Sequence, residues 1–506
     1  MKTNPSLTGV IREVKRFIGK PYSNDLEEMA ETLGMNIEEG ENGECIFVIT
    51  DPENDKEELI FTAEELVAIQ LRHIKEIILK RCPNADFNKV VMSVPSAFER
   101  EQIEAMKFAY ELAGIKPITI INEPTAALRE YKHYDNKKVV KNIMVIDIGG
   151  GTTDVCIGQS NGMNVVVATK GGNPMLGGSD FDKLIMDMIL EKLKDNSYDK
   201  MYLFRKEGTE LRTQINERMR YIHKLRLEAE RAKINLSTHD YYQVALEKIL
   251  PIKERVNFDI TISKEDFEEK IKKEDGLLDS IKECIEECLN NKKLKPNKID
   301  TVLLVGGITK VPIVREMIET MFKKEKIIHH HDYDPITAVG KGSARYASVF
   351  NPAKNVEKVE LVEEIQESIG IEIVGGLMEF IVEKGTKTPT KKWIHTFTTS
   401  GDDQTCIDFT LKKGEDIYGM NNVEFGSYRV ENIPKAKEGV EKVEVIVHID
   451  NTGNLIMKAI HQGKEKEEKR ISCGFNQTNE KFETSLGNIS LYSPKTKEEK
   501  EKKKKK

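Results

Sequence analysis

"VIDIGGGTTDV" (residues 145–155) sets an apolar run, two aspartates, three successive glycines and two threonines side by side. The lead-in "NIMVIDI" (142–148) reads as a buried strand. Gly149, Gly150 and Gly151 allow backbone angles closed to other residues and let a ligand approach the main chain. Successive N–H groups in such a turn form a concavity that binds anions. Thr152 and Thr153 add hydroxyl donors, and Asp147 and Asp154 are carboxylates suited to Mg²⁺, directly or through its waters. The pattern reads as a phosphate-and-metal turn for a nucleotide. The same residues also suit a plain glycine-rich hairpin, and the stretch alone does not choose between the two.

The rest of the chain narrows the choice. Its 506 residues allow about three domains. A hydrophobic share of 39% supports packed cores, and a net charge of −7 gives no global support to nucleic-acid binding, so no nucleic-acid partner is expected. Cys45, Cys82, Cys156, Cys284, Cys288, Cys406 and Cys473 are odd in number and scattered, which points to reduced thiols in a reducing, cytoplasmic compartment. Cys284 and Cys288, four apart, read as one buried helical face rather than a metal pair. The start "MKTNPSLTGV" has no signal-peptide pattern, and no apolar run approaches membrane-spanning length, so no membrane partner is expected.

Residues 1–354 alternate helical and strand patterns, which favours α/β layers. "AEELVAIQLRHIKEIILKRC" (63–82) is helical by period, followed by the strand "KVVMSVP" (89–95), a helix over 96–114 and the strand "ITIINEP" (118–124). Residues 200–235 read as a charged surface helix, and 299–322 as strand, Gly-Gly turn and helix. Residues 355–367 read as an interdomain linker. From 368 to 475 short alternating segments separated by Gly, Asp and Asn turns predict an all-β sandwich. Residues 476–506 are polar and end in a lysine run, the pattern of a solvated, disordered tail. His329-His330-His331 is a surface loop by this reading, since adjacent histidines do not converge on one ion.

Four turns in order, "NEPTAA" (122–127), "DIGGGTTD" (147–154), "LGGSDFD" (176–182) and "VGGITK" (305–310), each follow an apolar stretch and could face one cleft. With them stand "KRFIGKPY" (15–22), "VMSVPSAFEREQ" (91–102), "LEAERAKINLS" (227–237) and, in the β region, "SIGIE" (368–372), "GTKTPTKK" (385–392), "FTTSGDDQ" (397–404) and "VEVIVHIDNTGNL" (443–455). In these segments the chain resembles the seventy-kilodalton heat-shock chaperone family, from residue 4 to about 475. The resemblance implies an actin-like, two-lobed ATP-binding domain, with the first strands of its lobe I missing, followed by a peptide-binding β-sandwich. It implies an ATP-dependent, stress-related chaperone that takes ATP or ADP with Mg²⁺, binds unfolded or extended client polypeptides, and works with J-domain cochaperones and nucleotide exchange factors. A hydrolysis-deficient client-binding remnant and a small-molecule kinase of the actin-like fold are the competing readings.

By the same resemblance Asp147 and Glu123 orient Mg²⁺-bound and attacking water, with Asp154 as a third catalytic carboxylate. Gly149, Gly150 and Thr152 line the phosphates, Glu230, Lys233 and Ser237 hold ribose and adenine, and Gly178, Gly306 and Gly307 face the nucleotide. Ile371, Ile373, Val374, Phe397, Ile407 and Phe409 fall on the client channel, while alternation alone reads the same residues as sandwich core. The sequence departs from the family where Ile234, Ile308, Lys310 and Ile336 replace nucleotide-side polar residues and Ile103 replaces a helix arginine. The first phosphate hairpin and a lysine used in hydrolysis are expected to be lost upstream of residue 1, the helical lid to be missing, and hydrolysis to be impaired.

Overall fold

The computed structural model describes residues 10–50, 58–134, 141–161, 164–195, 212–249, 259–273, 276–328, 333–349, 361–363, 365, 367–449, 455–466, 469–471 and 485. The readings at Asn4-Pro5, at His329–His331, over 355–360 and, Ser485 apart, over the tail 476–506 lie outside the described residues.

The strand Lys141–Ile148 is central. It pairs in parallel with Thr301–Val305 on one side and antiparallel with Thr153–Asn161 on the other; Asn164–Asn173 follows. Ile143 through Ile148 are all buried, as a strand covered on both faces requires. Ile143 and Val145 pack with Ala127, Leu128 and Tyr131 of the helix Glu123–Tyr134. Met144, Ile146 and Ile148 face the opposite core, built from the helices Gly178–Asp195, Arg212–Leu236 and Leu277–Asn291. Each such side chain contributes about 1.5–3 kcal/mol on burial. Cys284 and Cys288 are buried on the helix facing this sheet, as expected.

One expectation is corrected here. The charged stretch is not a surface helix: Arg212–Leu236 buries Met219, Ile222, Leu225, Ala229 and Leu236, and with them Arg218, His223, Arg226 and Glu228. Arg218 and Arg226 reach Glu31 and Glu13 of the first lobe, and Glu228 accepts from Tyr242 and the Ala245 N–H. Leu361–Glu363, inside the stretch read as a linker, adds a fifth strand to this sheet, parallel to Val165–Val167.

The first lobe packs the helices Asn24–Thr32, Ala63–Arg81 and Arg100–Leu112 around an antiparallel sheet of Ile37–Glu39, Cys45–Thr50 and Glu58–Thr62. A reciprocal cap between Thr62 and Glu65 starts Ala63–Arg81. The third helix begins at Arg100 rather than 96, after the turn that follows Val90–Val94. Val90–Val94 and Pro117–Asn122 form a two-stranded parallel sheet, and Pro117–Asn122 runs directly into Glu123. Ala338–Val349 crosses Glu123–Tyr134, tied by Arg345 to Glu130 at 2.5 Å.

The C-terminal module is a sandwich. Leu377–Val382, Ile369–Ile373, Ile407–Lys413 and Val423–Val430 form one antiparallel sheet; Trp393–Thr398, Lys442–Ile449, Leu455–His461 and Lys464–Glu465 form the other. Lys442–Ile449 buries alternate residues, and Val443, Val445, Val447 and Ile449 meet Ile371, Phe409 and Leu411 across the interior.

Two glycines of Ala338–Val349 make a controlled test of the helix crossing. A Cβ on Gly342 would lie 1.8 Å from the Ala126 carbonyl oxygen, whereas one on Gly340 meets nothing within 4 Å. Gly342→Ala is expected to destabilise by about 1–3 kcal/mol or more, and Gly340→Ala to stabilise by roughly 0.4–1 kcal/mol. Urea melts of the two variants check this, and equal effects would refute the crossing.

Candidate functional site

Strand alternation explains the first carboxylate. Asp147 shares a face with Ile143 and Val145, so it points toward the helix that starts at Glu123. The antiparallel register sets Asp154 directly opposite Asp147 on the neighbouring strand. Both are buried, at 7% and 1% exposure. Asp147 is pushed up to about 8 by burial first, then by the Glu123 and Asp154 carboxylates, with Lys15 pulling it down. Asp154 is raised to about 6 by burial and Glu123, opposed by Lys15, the Ser96 N–H and Thr152. Asp154 Oδ2 is buried with no hydrogen-bond partner.

The family's lysine is expected upstream of residue 1, yet the described cleft holds a lysine of its own. Lys15 lies on the 3₁₀ turn Val14–Arg16, and its Nζ sits 2.7 Å from Glu123 Oε1. Phe17 and Ile18, the next two residues, are fully buried and anchor the turn in the lobe I core, so Lys15 faces the cleft. The signal was "KRFI", a basic pair ahead of two core residues. Arg16 lies beside it: its Nε donates to the Gly151 carbonyl at 2.9 Å, and its two Nη atoms grip Asp180 at 3.2 and 2.6 Å.

The glycine turn is closed by the Gly149 N–H on the Thr152 carbonyl at 2.9 Å. The carbonyls of Gly149 and Gly150 accept from the N–H groups of Gly178 and Ser179, the first residues of Gly178–Asp195. A Cβ on Gly150 would meet nothing within 4 Å, so the turn fronts open space. Gly306 is left-handed (φ 80°), and its ideal Cβ falls 2.1 Å from Ile148 O and 2.9 Å from Asp147 Oδ1. Only glycine fits there. Exposed Gly307 follows. Lys233 Nζ donates to Gly178 O at 2.9 Å and pairs with Asp182 at 2.7 Å. Glu230, one turn earlier, faces Arg12 at 3.9 Å, and Ser237 donates to the Lys233 carbonyl at 3.1 Å. The predicted nucleotide-side residues therefore form a lining made of the turns 149–152, 178 and 306–307 and the end of Arg212–Leu236. Ile234 and Ile336 are exposed, and Ile308 is buried against Gly178.

Carboxylate oxygens suit Mg²⁺, which keeps several of its waters and takes only one or two protein ligands. Among the described residues no group of three His, Cys, Asp or Glu side chains could hold a metal ion directly. The unpartnered Asp154 Oδ2 and the crowding of Asp147 by two carboxylates fit a hydrated dication.

In the sandwich the candidate channel residues divide. Ile371, Ile407 and Phe409 are buried in the core, Ile373 and Phe397 are half-buried, and Val374 is 81% exposed. The Phe397 and Phe409 rings meet edge-on with centroids 5.0 Å apart. Among the described residues no helix is long and apolar enough to cross a membrane.

Two lobes with a carboxylate-floored glycine turn between them define an actin-like nucleotide-binding domain, here joined to a β-sandwich. The chain belongs to the Hsp70 protein family, whose model matches residues 2–506. It is 31% identical over 483 residues to the chaperone protein DnaK of Thermosipho africanus, covering 95% of this chain and 76% of that one. It is 33% identical over 432 residues to DnaK of Thermotoga neapolitana, covering 84% and 68%. The chloroplastic heat shock 70 kDa protein 6 of Arabidopsis thaliana is 32% identical over 461 residues, covering 90% of this chain and 59% of that one.

The raised carboxylates carry a pH prediction for the ligand-free protein. Asp147 ordinarily titrates at 3.8 and here at about 8, so the folded state holds its proton where the unfolded chain has lost it. Stability therefore falls as pH rises from about 4 to about 8. Asp147→Asn is expected to raise the melting temperature at pH 8 by at least about 2 °C and to change it little at pH 4. Thermal melts without nucleotide or Mg²⁺ check the pair; no gain at pH 8 would contradict the burial argument.

Proposed function

We propose that this chain is an ATP-dependent molecular chaperone that binds ATP or ADP with Mg²⁺ between its lobes and an extended apolar client segment in its sandwich. The observation that carries the reading is the pairing of Asp147, Asp154, Glu123 and Lys15 around one glycine turn. Family membership favours this reading over the client-binding remnant and the small-molecule kinase. The same membership supports J-domain cochaperones, exchange factors and a stress-related role as proposals. The scattered cysteines, with no disulfide among the described residues, support a reducing, cytoplasmic setting.

Phosphoryl transfer to water asks mainly for positioning and charge stabilisation. Bound Mg²⁺ would neutralise charge on the phosphates, held through its waters by Asp147 and Glu123. Asp147, ionised once the dication has displaced its proton, is suited to orient the attacking water. Lys15 brings a fixed positive charge to the same point, and Gly149, Gly150 and Thr152 offer the close backbone approach that a phosphate needs. Glu230, Lys233, Ser237, Gly178, Gly306 and Gly307 would hold the nucleoside side. In the sandwich an extended segment would be bound by main-chain hydrogen bonds, with side-chain pockets near Ile373, Val374 and Phe397 setting preference.

Nucleotide-controlled client release tests the whole reading. A fluorescently labelled Leu-rich peptide bound to the full chain is expected to dissociate several-fold faster on adding Mg-ATP, as measured by anisotropy after mixing with unlabelled competitor. Asp147→Asn should bind the peptide equally and lose most of the acceleration. An off-rate independent of Mg-ATP would overturn the proposal.

A further inference from the structure

Glu13 stands two residues before Lys15 and three before Arg16, outside every motif that the nucleotide reading uses. Its backbone is left-handed (φ 52°, ψ 33°), a region that residues with a Cβ avoid. Such a conformation persists where the surroundings over-determine it.

Those surroundings belong to the second lobe. Glu13 Oε1 accepts from Arg226 Nη2 at 2.5 Å and from the Ser179 hydroxyl. Arg226 is buried at 3% exposure on Arg212–Leu236, and its Nη2 also lies 2.5 Å from Ser179 Oγ. Ser179 is the second residue of Gly178–Asp195, and its own N–H is bonded to the Gly150 carbonyl. Glu13 is thus joined through one hydroxyl to the helix whose first N–H groups hold the phosphate turn. On its other side the Arg16 N–H closes the turn Val14–Arg16 on the Glu13 carbonyl at 2.8 Å, and Phe17 is buried behind it. With both ends of the turn fixed, Lys15 is held against Glu123.

We propose that Glu13 is a positioning residue for the cleft, clamped by Ser179 and Arg226 and acting through Lys15. Its charge matters as well as its shape, because a neutral side chain would leave Arg226, among the described residues, with Asp182 at 3.9 Å as its carboxylate partner. The consequence for catalysis rests on the nucleotide reading; the positioning itself does not.

The test labels lysines of the nucleotide-free full chain by reductive methylation and reads each site by mass spectrometry. Lys15 is expected to react about threefold faster or more in Glu13→Gln than in the parent. Ser179→Ala should shift it the same way by less, and Glu13→Asp should fall between parent and Glu13→Gln. Lys107, paired with Glu104 at 2.7 Å on Arg100–Leu112, is the internal control and should not change. In single-turnover assays with Mg-ATP, Glu13→Gln should lower the rate constant about tenfold or more, with the half-saturating ATP concentration within about twofold. Unchanged Lys15 reactivity in folded Glu13→Gln and Ser179→Ala would overturn the proposal. A parent chain without ATP turnover would overturn the nucleotide reading while the labelling still decides the role of Glu13.

Discussion

Two aspartates opposite each other on adjacent antiparallel strands, Asp147 and Asp154, are an unfavourable pair in any sheet, and more so when buried. Much of the first two-thirds of the chain can be understood from how that pair is tolerated. Burial follows from position, since Lys141–Ile148 is covered on both faces, Asp147 lies near its end and Asp154 near the start of the neighbouring strand. Glu123, delivered by the strand–helix junction at 122–123, adds a third carboxylate rather than relief. Compensation arrives from far away in sequence, as Lys15 reaches Glu123 across 108 residues. One cation against three carboxylates leaves the cluster short of positive charge, and protonation of Asp147 or a hydrated dication makes up the difference.

The cleft is also where the lobes meet. Arg12, Glu13, Lys15 and Arg16 lie within five consecutive residues and reach Glu230, Arg226, Glu123 and Asp180 respectively. Pairs of this kind, partly exposed at Arg12 and Lys15 and buried at Arg16 and Arg226, are poor sources of net stability, because solvent screening or desolvation offsets attraction. They are better at fixing geometry: Arg16 and Arg226 each bridge several groups, and the phosphate turn is held through Gly151 and Ser179. A nucleotide phosphate entering there would compete for charges that already have partners, so binding and lobe closure would be coupled by the same residues.

Much of this was legible in the sequence. The apolar run ahead of Asp147 is long enough to demand a buried strand, and the glycine turns fall where strands end. Alternation over 368–475 reads directly as a sandwich. The helix Arg212–Leu236 was misread as a surface element because composition counts Arg218, His223, Arg226 and Glu228 as solvent-facing, and only the fold shows them buried. Lys15 was missed because its role depends on a partner far along the chain. The strand Leu361–Glu363 is three residues long and has no pattern apart from its partner. In the sandwich the limit is physical: Ile371, Ile407 and Phe409 satisfy a core and a channel wall with the same alternation, while Ile373 and Phe397 are half-buried and Val374 is exposed.

The central claim, that the Asp147–Asp154–Glu123 cluster holds a proton that a dication displaces, is tested most directly by the protons released on Mg-ATP binding. Calorimetric titrations at pH 7 in buffers of differing ionisation enthalpy measure that number. With Asp147 titrating near 8 in the free protein, the account predicts net proton release with Mg-ATP, lost in Asp147→Asn. A binding enthalpy that does not depend on the buffer in the parent chain would contradict it.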